Sequence, residues 1–314
     1  MTTPSSVEVG PPSTADAAGR VRPRRAGLWA AVRATRPHQW PKNALVLAAP
    51  VAAGSWGPRA HGWLDCVAAG AAFVAASCAV YLVNDVVDVE RDRRHPRKRL
   101  RPVASGALSE PMALAAAAAA VVAMLGAEAF VDATWFSAAL TLYLVLSIFY
   151  SLGLKQVPVL EMGLVSSGFV LRGLGGAAAT HIVPSVPFTV VTALGALVVV
   201  LEKRSSECAD LKQAAAAHRP VLASYDLRTL RRAARASSVI VVAAYACWAA
   251  TRSVVLAPHF PLLSVFPLGG ALWTFHRRLA VHPDRSVEDV LTRDGTMIAW
   301  EVSWLALFAL SAWP

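Results

Sequence analysis

Nine stretches of this chain, at about 41–55, 64–83, 112–131, 134–153, 159–179, 185–202, 237–256, 259–276 and 296–313, are nearly free of charge and rich in Ala, Val and Leu. A helix of roughly 20 apolar residues spans the roughly 30 Å hydrocarbon core of a bilayer. Within that core every backbone N–H and C=O needs a partner in the same segment, which the helix supplies. The pattern predicts an all-α polytopic membrane protein with about nine transmembrane helices. Only 16% of residues are charged and mean hydropathy is +0.48, against roughly 25% charged in a soluble domain. The first stretch, behind Pro41, is short and is expected to tilt or to lie partly in the interface.

The charges orient this bundle. Of the 30 Lys and Arg, 27 fall up to the start of the first helix at Lys42, in 91–101, at 155, in 203–235 and in 277–293. Arg59 and Arg252 fall in the alternate connections, and Arg172 lies within a helix. This asymmetry predicts a cytoplasmic N-terminus and an external C-terminus. It also explains the net charge of +10 without a nucleic-acid partner. Residues 1–25, rich in Pro, Ser, Gly and Arg and without periodicity, are expected to form a disordered tail ahead of one transmembrane domain, 26–314. They hold no apolar core of the kind a secretory signal needs.

The four cysteines lack metal-ligand spacing and are expected as packing residues without disulfides. The Ala-rich 112–131 segment predicts close helix packing. The same holds for Gly168, Gly173, Gly175 and Gly176, which could alternatively loosen their helix or admit a lipid chain.

Chemistry concentrates where the second apolar run ends, in NDVVDVERD. On one helix Asn84, Asp85, Asp88 and Asp92 fall within an arc of about 100°. Carboxylates at the end of an apolar run are costly unless they line a functional cavity. Hard oxygen donors in that number suit Mg²⁺, which takes one or two carboxylates together with substrate phosphates. Seven cations follow, Arg91 to Arg101. Acid that holds Mg²⁺ beside base that holds phosphate points to a phosphorylated substrate at a membrane surface.

Lys203, Arg204 and Glu207, in LEKRSSE at the end of the sixth run, also share a helix face and read as a phosphate clamp with one more carboxylate. Tyr150, Ser151 and Lys155 close the fourth run. Arg172 sits inside the fifth, where a bound anion or an acid from another helix is the expected partner. His38 and His95 lie among basic residues, where a surface hydrogen bond is the commoner role. No nucleophilic triad, Walker loop or dinucleotide fingerprint appears, so side chains and metal must do the phosphate recognition.

These motifs resemble the UbiA superfamily of intramembrane transferases. Asn84, Asp85, Asp88 and Asp92 match its NDxxDxxxD motif position by position. Within it the likeness is to the branch that transfers phosphoribosyl groups to polyprenyl phosphates in actinobacterial cell-wall arabinan synthesis. The likeness rests on RPHQWPKN (36–43), YLVNDVVDVERDRRHPRKRLRPVASG (81–106), YSLGLKQVPVLEMGLVSSGFVLRGLGG (150–176), EKRSSE (202–207) and HPDRSVEDVLTRDG (282–295). Prenyltransferases of the superfamily carry a second aspartate-rich motif where this chain has Lys203 and Glu207. That branch would have Gly at position 202, where this chain has Glu202, which touches details of the clamp and not the class.

The resemblance implies a UbiA-type bundle in the plasma membrane with its active site on the cytoplasmic side. The implied reaction moves the 5-phosphoribosyl group of 5-phosphoribosyl 1-diphosphate onto a polyprenyl (decaprenyl) monophosphate and releases diphosphate. Asp85, Asp88 and Asp92, with Asn84, would hold Mg²⁺, and the three aspartates with Lys203 would carry catalysis. Lys42, Asn84, Lys98, Arg99, Arg101, Tyr150, Lys155, Arg172, Arg204 and Glu207 would bind substrate. A homo-oligomer is compatible with the family. The rival reading is a UbiA-type prenyltransferase acting from a prenyl diphosphate on an aromatic or haem acceptor.

Overall fold

A computed structural model describes residues 24–54, 62–96, 98–211, 224–255, 260–282 and 285–312. The expected tail lies outside the described residues except at its last two positions, where helix α1 (Arg24–Ala34) already begins. Arg59 also lies outside them.

Every regular element among the described residues is helical. After α1 come α2 (Ala48–Ala52), α3 (Trp63–Val87), α4 (Val89–Arg94), α5 (Glu110–Glu128), α6 (Thr134–Leu152) and α7 (Leu160–Ala179). The second half holds α8 (Val186–Leu211), α9 (Leu227–Val255), α10 (Phe260–Leu263), α11 (Val265–Val281), α12 (Val287–Arg293) and α13 (Gly295–Ala312). Six of these, α3 and α5 to α9, are long and apolar enough to cross a membrane, and α13 is a shorter apolar helix.

Two expected spans are built differently. The 41–55 stretch is a 3₁₀ segment, Pro37–Leu47, followed by the five-residue α2. Pro41 lies inside it and cannot donate to an α-helical ladder. The 259–276 span is divided into α10 and α11. In contrast, α8 continues nine residues past its expected end and α9 begins ten earlier, because charged ends of a membrane helix can leave the hydrocarbon without leaving the helix.

Local chemistry sets several boundaries. Ser109 caps α5 by accepting the Met112 N–H, with Pro111 where no donor is needed. Ser286 caps α12 through the Asp289 N–H at 3.0 Å. The buried Asp294 accepts the N–H groups of Thr296 and Met297 at 3.1 and 3.2 Å, starting α13. It also binds Arg278 of α11 at 3.0 Å and Arg285 at 3.3 Å. The corner from α11 through α12 to α13 is thereby tied into one piece.

Helix α3 packs on α5 and α6, α7 on α6 and α8, α8 on α9, and α11 on α13. Phe73 of α3 meets Phe136 and Tyr143 of α6 edge-on, at 6.1 and 5.6 Å between ring centres. The α7 glycines serve close packing. A Cβ at Gly176 would lie 1.8 Å from the Val46 carbonyl oxygen, and one at Gly175 would lie 2.6 Å from the Phe73 ring. The 3₁₀ segment can therefore press against α7 only at glycine. Buried Ala113 and Ala117 pack α5 against the bundle, while its other face is open. The cysteines are free, and Cys247 is exposed rather than packed. Trp135, Val183 and Val186 are each more than three-quarters exposed, which suits a multi-pass membrane protein whose outer solvent is lipid.

Candidate active site

The acidic motif does not lie on one unbroken helix. Helix α3 stops at Val87, Asp88 has φ −95° and ψ 6°, and α4 starts at Val89. The chain stays nearly helical through the break, with the Asp88 N–H donating to Asn84 C=O and the Asp92 N–H to Asp88 C=O. Asp85 and Asp92 are buried, at 2% and 3% exposure, while Asn84 and Asp88 are half-buried. Each carboxylate has a cation. Arg36 donates to Asp85 Oδ1, which lies 3.2 Å from Arg101 Nη1. The same Arg101 nitrogen donates to Asp92 Oδ2 at 2.6 Å. Lys155, from the α6–α7 connection, donates to Asp88 at 2.6 Å.

The donor set suits a hard divalent ion. Asp85 and Asp92 already converge on one positive nitrogen of Arg101, so a single cation can be shared between them. Asp88 is turned to Lys155, and among the described residues no three acidic, His or Cys side chains stand close enough together to form a metal cluster as they are. Asp85 and Asp92 are thus the pair that fits a metal; Asp88 would have to leave Lys155 to join them.

Arg36 is the main residue that sequence reasoning missed. It lies just before Pro37 with φ 55°, a conformation disfavoured for non-glycine residues and doubly so ahead of proline. That backbone turns its guanidinium onto Asp85 and over the Tyr81 ring at 4.8 Å. Lys42 donates to the Tyr81 hydroxyl and lies within electrostatic reach of Arg172, Lys203 and Arg36. Lys98 and Arg99 lie on an exposed turn, Lys98–Leu100, unlike Arg101, which points at the carboxylates. His95 Nδ1 accepts the Lys98 N–H in that turn, and His38 is exposed.

Arg172 is buried at 2% exposure, and its hydrogen-bond partners are neutral groups, not an acid from another helix, one of its two expected partners. Its Nε donates to Asn43 Oδ1 at 2.7 Å, and Nη2 to Ser77 Oγ at 2.9 Å and to the Tyr143 hydroxyl at 3.0 Å. Nη1 donates to the Gly168 carbonyl at 2.5 Å, and the guanidinium lies over the Tyr143 ring at 4.6 Å. Arg172 thus joins α7, α3, α6 and the 3₁₀ segment in the apolar interior.

The expected phosphate clamp at the end of α8 comes apart. Successive residues on a helix point 100° apart, and Glu202, Lys203 and Arg204 reach three different neighbours. Arg204 holds Glu161 of α7 through two bonds, at 2.5 and 2.7 Å, and also pairs with Glu207. Arg204 and Glu161 are 3% and 0% exposed, and the Tyr225 hydroxyl lies 3.4 Å from Glu161 Oε1. Tyr150 lies close enough to Arg204 to interact electrostatically. Arg204 is therefore committed to a buried pair with Glu161, Glu207 joins it from a partly exposed position, and Lys203 is the cation that stays near the surface, 2.6 Å from Glu288 of α12. Burial works to raise the Glu288 pKa, but the Lys203 ammonium and its hydrogen bond outweigh it and hold that carboxyl below its usual range. The signal for these partners was present as acids near helix starts, Glu161 and Glu288, but their pairing is a long-range fact.

Beside this polar end an apolar cavity of about 890 Å³ runs between the 3₁₀ segment, α8 and α13. Pro41, Ala48, Phe169, Phe188, Trp248 and Trp304 contribute to its wall.

Residues 44–310 match the model of the UbiA prenyltransferase family. The chain is 36% identical over 283 residues to a protein of Mycobacterium tuberculosis named decaprenyl-phosphate phosphoribosyltransferase, covering 88% of this chain and 91% of that one. A protein of the same name from Mycolicibacterium smegmatis is 38% identical over 229 residues, 70% of each chain. Among solved structures, a UbiA homolog from Archaeoglobus fulgidus bound to GPP and Mg²⁺ superposes with a TM-score of 0.68 at 16% identity, over 90% of this chain and 98% of that one.

Proposed function

The chain belongs to the UbiA prenyltransferase family, and from that premise we propose that it transfers the 5-phosphoribosyl group of 5-phosphoribosyl 1-diphosphate to a polyprenyl monophosphate, with decaprenyl phosphate as the first acceptor to try. The observation that carries this reading is the unequal chemistry of the two polar helix ends. One end presents carboxylates, whereas the other leaves Lys203 as its surface cation with Arg204 locked to Glu161. A prenyl donor would call for two metal-binding acidic ends. One acidic and one basic end suit a soluble diphosphate donor and an anionic lipid acceptor.

In this reading Asp85 and Asp92, joined by Asp88, hold Mg²⁺, which when bound supplies positive charge to the departing diphosphate. Arg36, Arg101 and Lys155 neutralise the same carboxylates in the absence of donor and offer charge-assisted hydrogen bonds to its phosphates. Lys42 and Lys203 face the acceptor phosphate. As the C1–O bond to diphosphate breaks, positive charge develops on the ribose ring and a phosphate oxygen of the lipid forms the new C1–O bond. That oxygen is already anionic near pH 7, so no strong general base is needed. The apolar cavity beside Pro41 takes the isoprenoid chain, and its lining supports that role. The distribution of Lys and Arg supports a cytoplasmic active site in the plasma membrane.

The test is purified protein with labelled 5-phosphoribosyl 1-diphosphate, Mg²⁺ and decaprenyl phosphate. Labelled, chloroform-soluble lipid that disappears with chelator is expected. A prenylated aromatic product from a prenyl diphosphate, with no labelled lipid, would overturn the reading.

A further inference from the structure

Glu202 is a carboxylate inside the bundle that the proposed reaction does not use. It is 4% exposed. Its Oε1 lies 2.6 Å from Nδ1 of His276 on α11, whose Nε2 lies 2.8 Å from Ser238 Oγ on α9. Ser238 Oγ also donates to the Ala234 carbonyl at 3.0 Å. Three helices are therefore joined through one imidazole. A buried acid in such a place is unfavourable without a polar partner, and the His276 ring nitrogen supplies one.

The next residue is Lys203. Its pair with Glu288 is open to solvent, with side chains 42% and 54% exposed, and contacts of that kind fix little on their own. The position of Glu288 depends on α12, which is tied to α11 and α13 through Asp294, Arg278 and Arg285. Val198 of α8 packs against Phe275 of α11 and Val287 and Val290 of α12, and the Glu202–His276 contact adds the polar link to that corner nearest Lys203. We propose that Glu202, through His276 and Ser238, is a positioning unit that holds the end of α8 at a fixed spacing from α11 and α12 and so aims Lys203 at an anionic substrate group. The aim of Lys203 at substrate rests on the function proposed above; the spacing of α8 and α12 does not.

The first arm reads spacing without activity. Cysteines are placed at 203 and 288 in a chain whose native cysteines are replaced, and joined in membranes with a short bifunctional thiol reagent. Glu202→Leu is expected to slow cross-linking about fivefold or more. Glu202→Gln, which keeps an acceptor for Nδ1–H, is expected to stay near the parent rate. An unchanged rate in a folded Glu202→Leu chain would overturn the proposal. Should that variant not fold, Ser238→Ala removes only the far hydroxyl; about a twofold slowing is expected, and no slowing overturns the proposal.

The second arm reads kinetics in the native chain. Glu202→Leu should raise KM for an anionic substrate about tenfold with kcat within about twofold, and adding it to Lys203→Met should change nothing further. Loss confined to kcat, or effects that multiply, would overturn the aim of Lys203. If no labelled lipid forms with the unaltered protein, the proposed function has failed and the cross-linking arm still decides the spacing.

Discussion

The ends of α3 and α8 both carry acids and bases in a short run, yet the folded protein uses them differently. At α3 the partners of the carboxylates come from turns and connections outside the long helices, Arg36, Arg101 and Lys155, with partly exposed side chains at 18%, 24% and 11%. At α8 the pair of Arg204 and Glu161 is bidentate and closed to solvent, 3% and 0%. Partners that reach water can be exchanged for a metal ion or a phosphate, whereas partners sealed between helices cannot leave without stranding a charge. The first region is built to be re-paired and the second to stay paired. Charge content alone does not distinguish them.

The comparison breaks first at Asp85. If α3 is the exchangeable end, Asp85→Asn should lower labelled-lipid formation on the order of 10²-fold or more, while the detergent-purified variant keeps its melting temperature within a few degrees. Equal losses of stability and activity would make Asp85 structural instead. Glu161→Gln should do the reverse. Leaving the Arg204 guanidinium buried with one charged partner fewer should cost about 3–5 kcal/mol, visible as a large drop in melting temperature and in folded yield, with activity per folded molecule much less affected. A stable but inactive Glu161→Gln would mean that Arg204 meets substrate after all.

A middle case sharpens the contrast. Lys155 meets a single half-buried carboxylate, so Lys155→Met should leave folding intact and raise KM for the soluble donor about tenfold, measured with saturating lipid acceptor.

These differences explain how far the sequence could be read. Six of the nine expected spans were legible, since apolar length is a local property; the full count was not, because Pro41 and the short 37–52 stretch turn one span into a 3₁₀ segment and a five-residue helix, 259–276 is divided into α10 and α11, and α13 is short. The position of the acidic motif was legible for the same local reason. The meaning of Arg172 and Arg204 was not. Their partners, Asn43 and Glu161, lie 129 and 43 residues away, and periodicity says nothing about which helices meet. Arg36 was hidden for another reason: a left-handed residue ahead of proline is improbable locally and is held by the contacts its side chain makes.

The smallest effect expected concerns Lys203, the α8 cation that stays outside. The Glu288 pKa lies below its ordinary value of 4.5 because Lys203 outweighs burial. A carboxyl depressed in the folded state adds stability that is present above the unfolded value and is lost as pH falls through the folded one. The wild-type melting temperature should therefore fall slightly more than that of Glu288→Gln once pH drops below about 4.5, and the two curves should run parallel near neutrality. The gap should also shrink in high salt, because both side chains are exposed enough to be screened. A salt-independent gap would place Lys203 and Glu288 with the sealed pair and leave α8 with no exchangeable cation, which would remove the distinction between the two helix ends on which the functional reading stands.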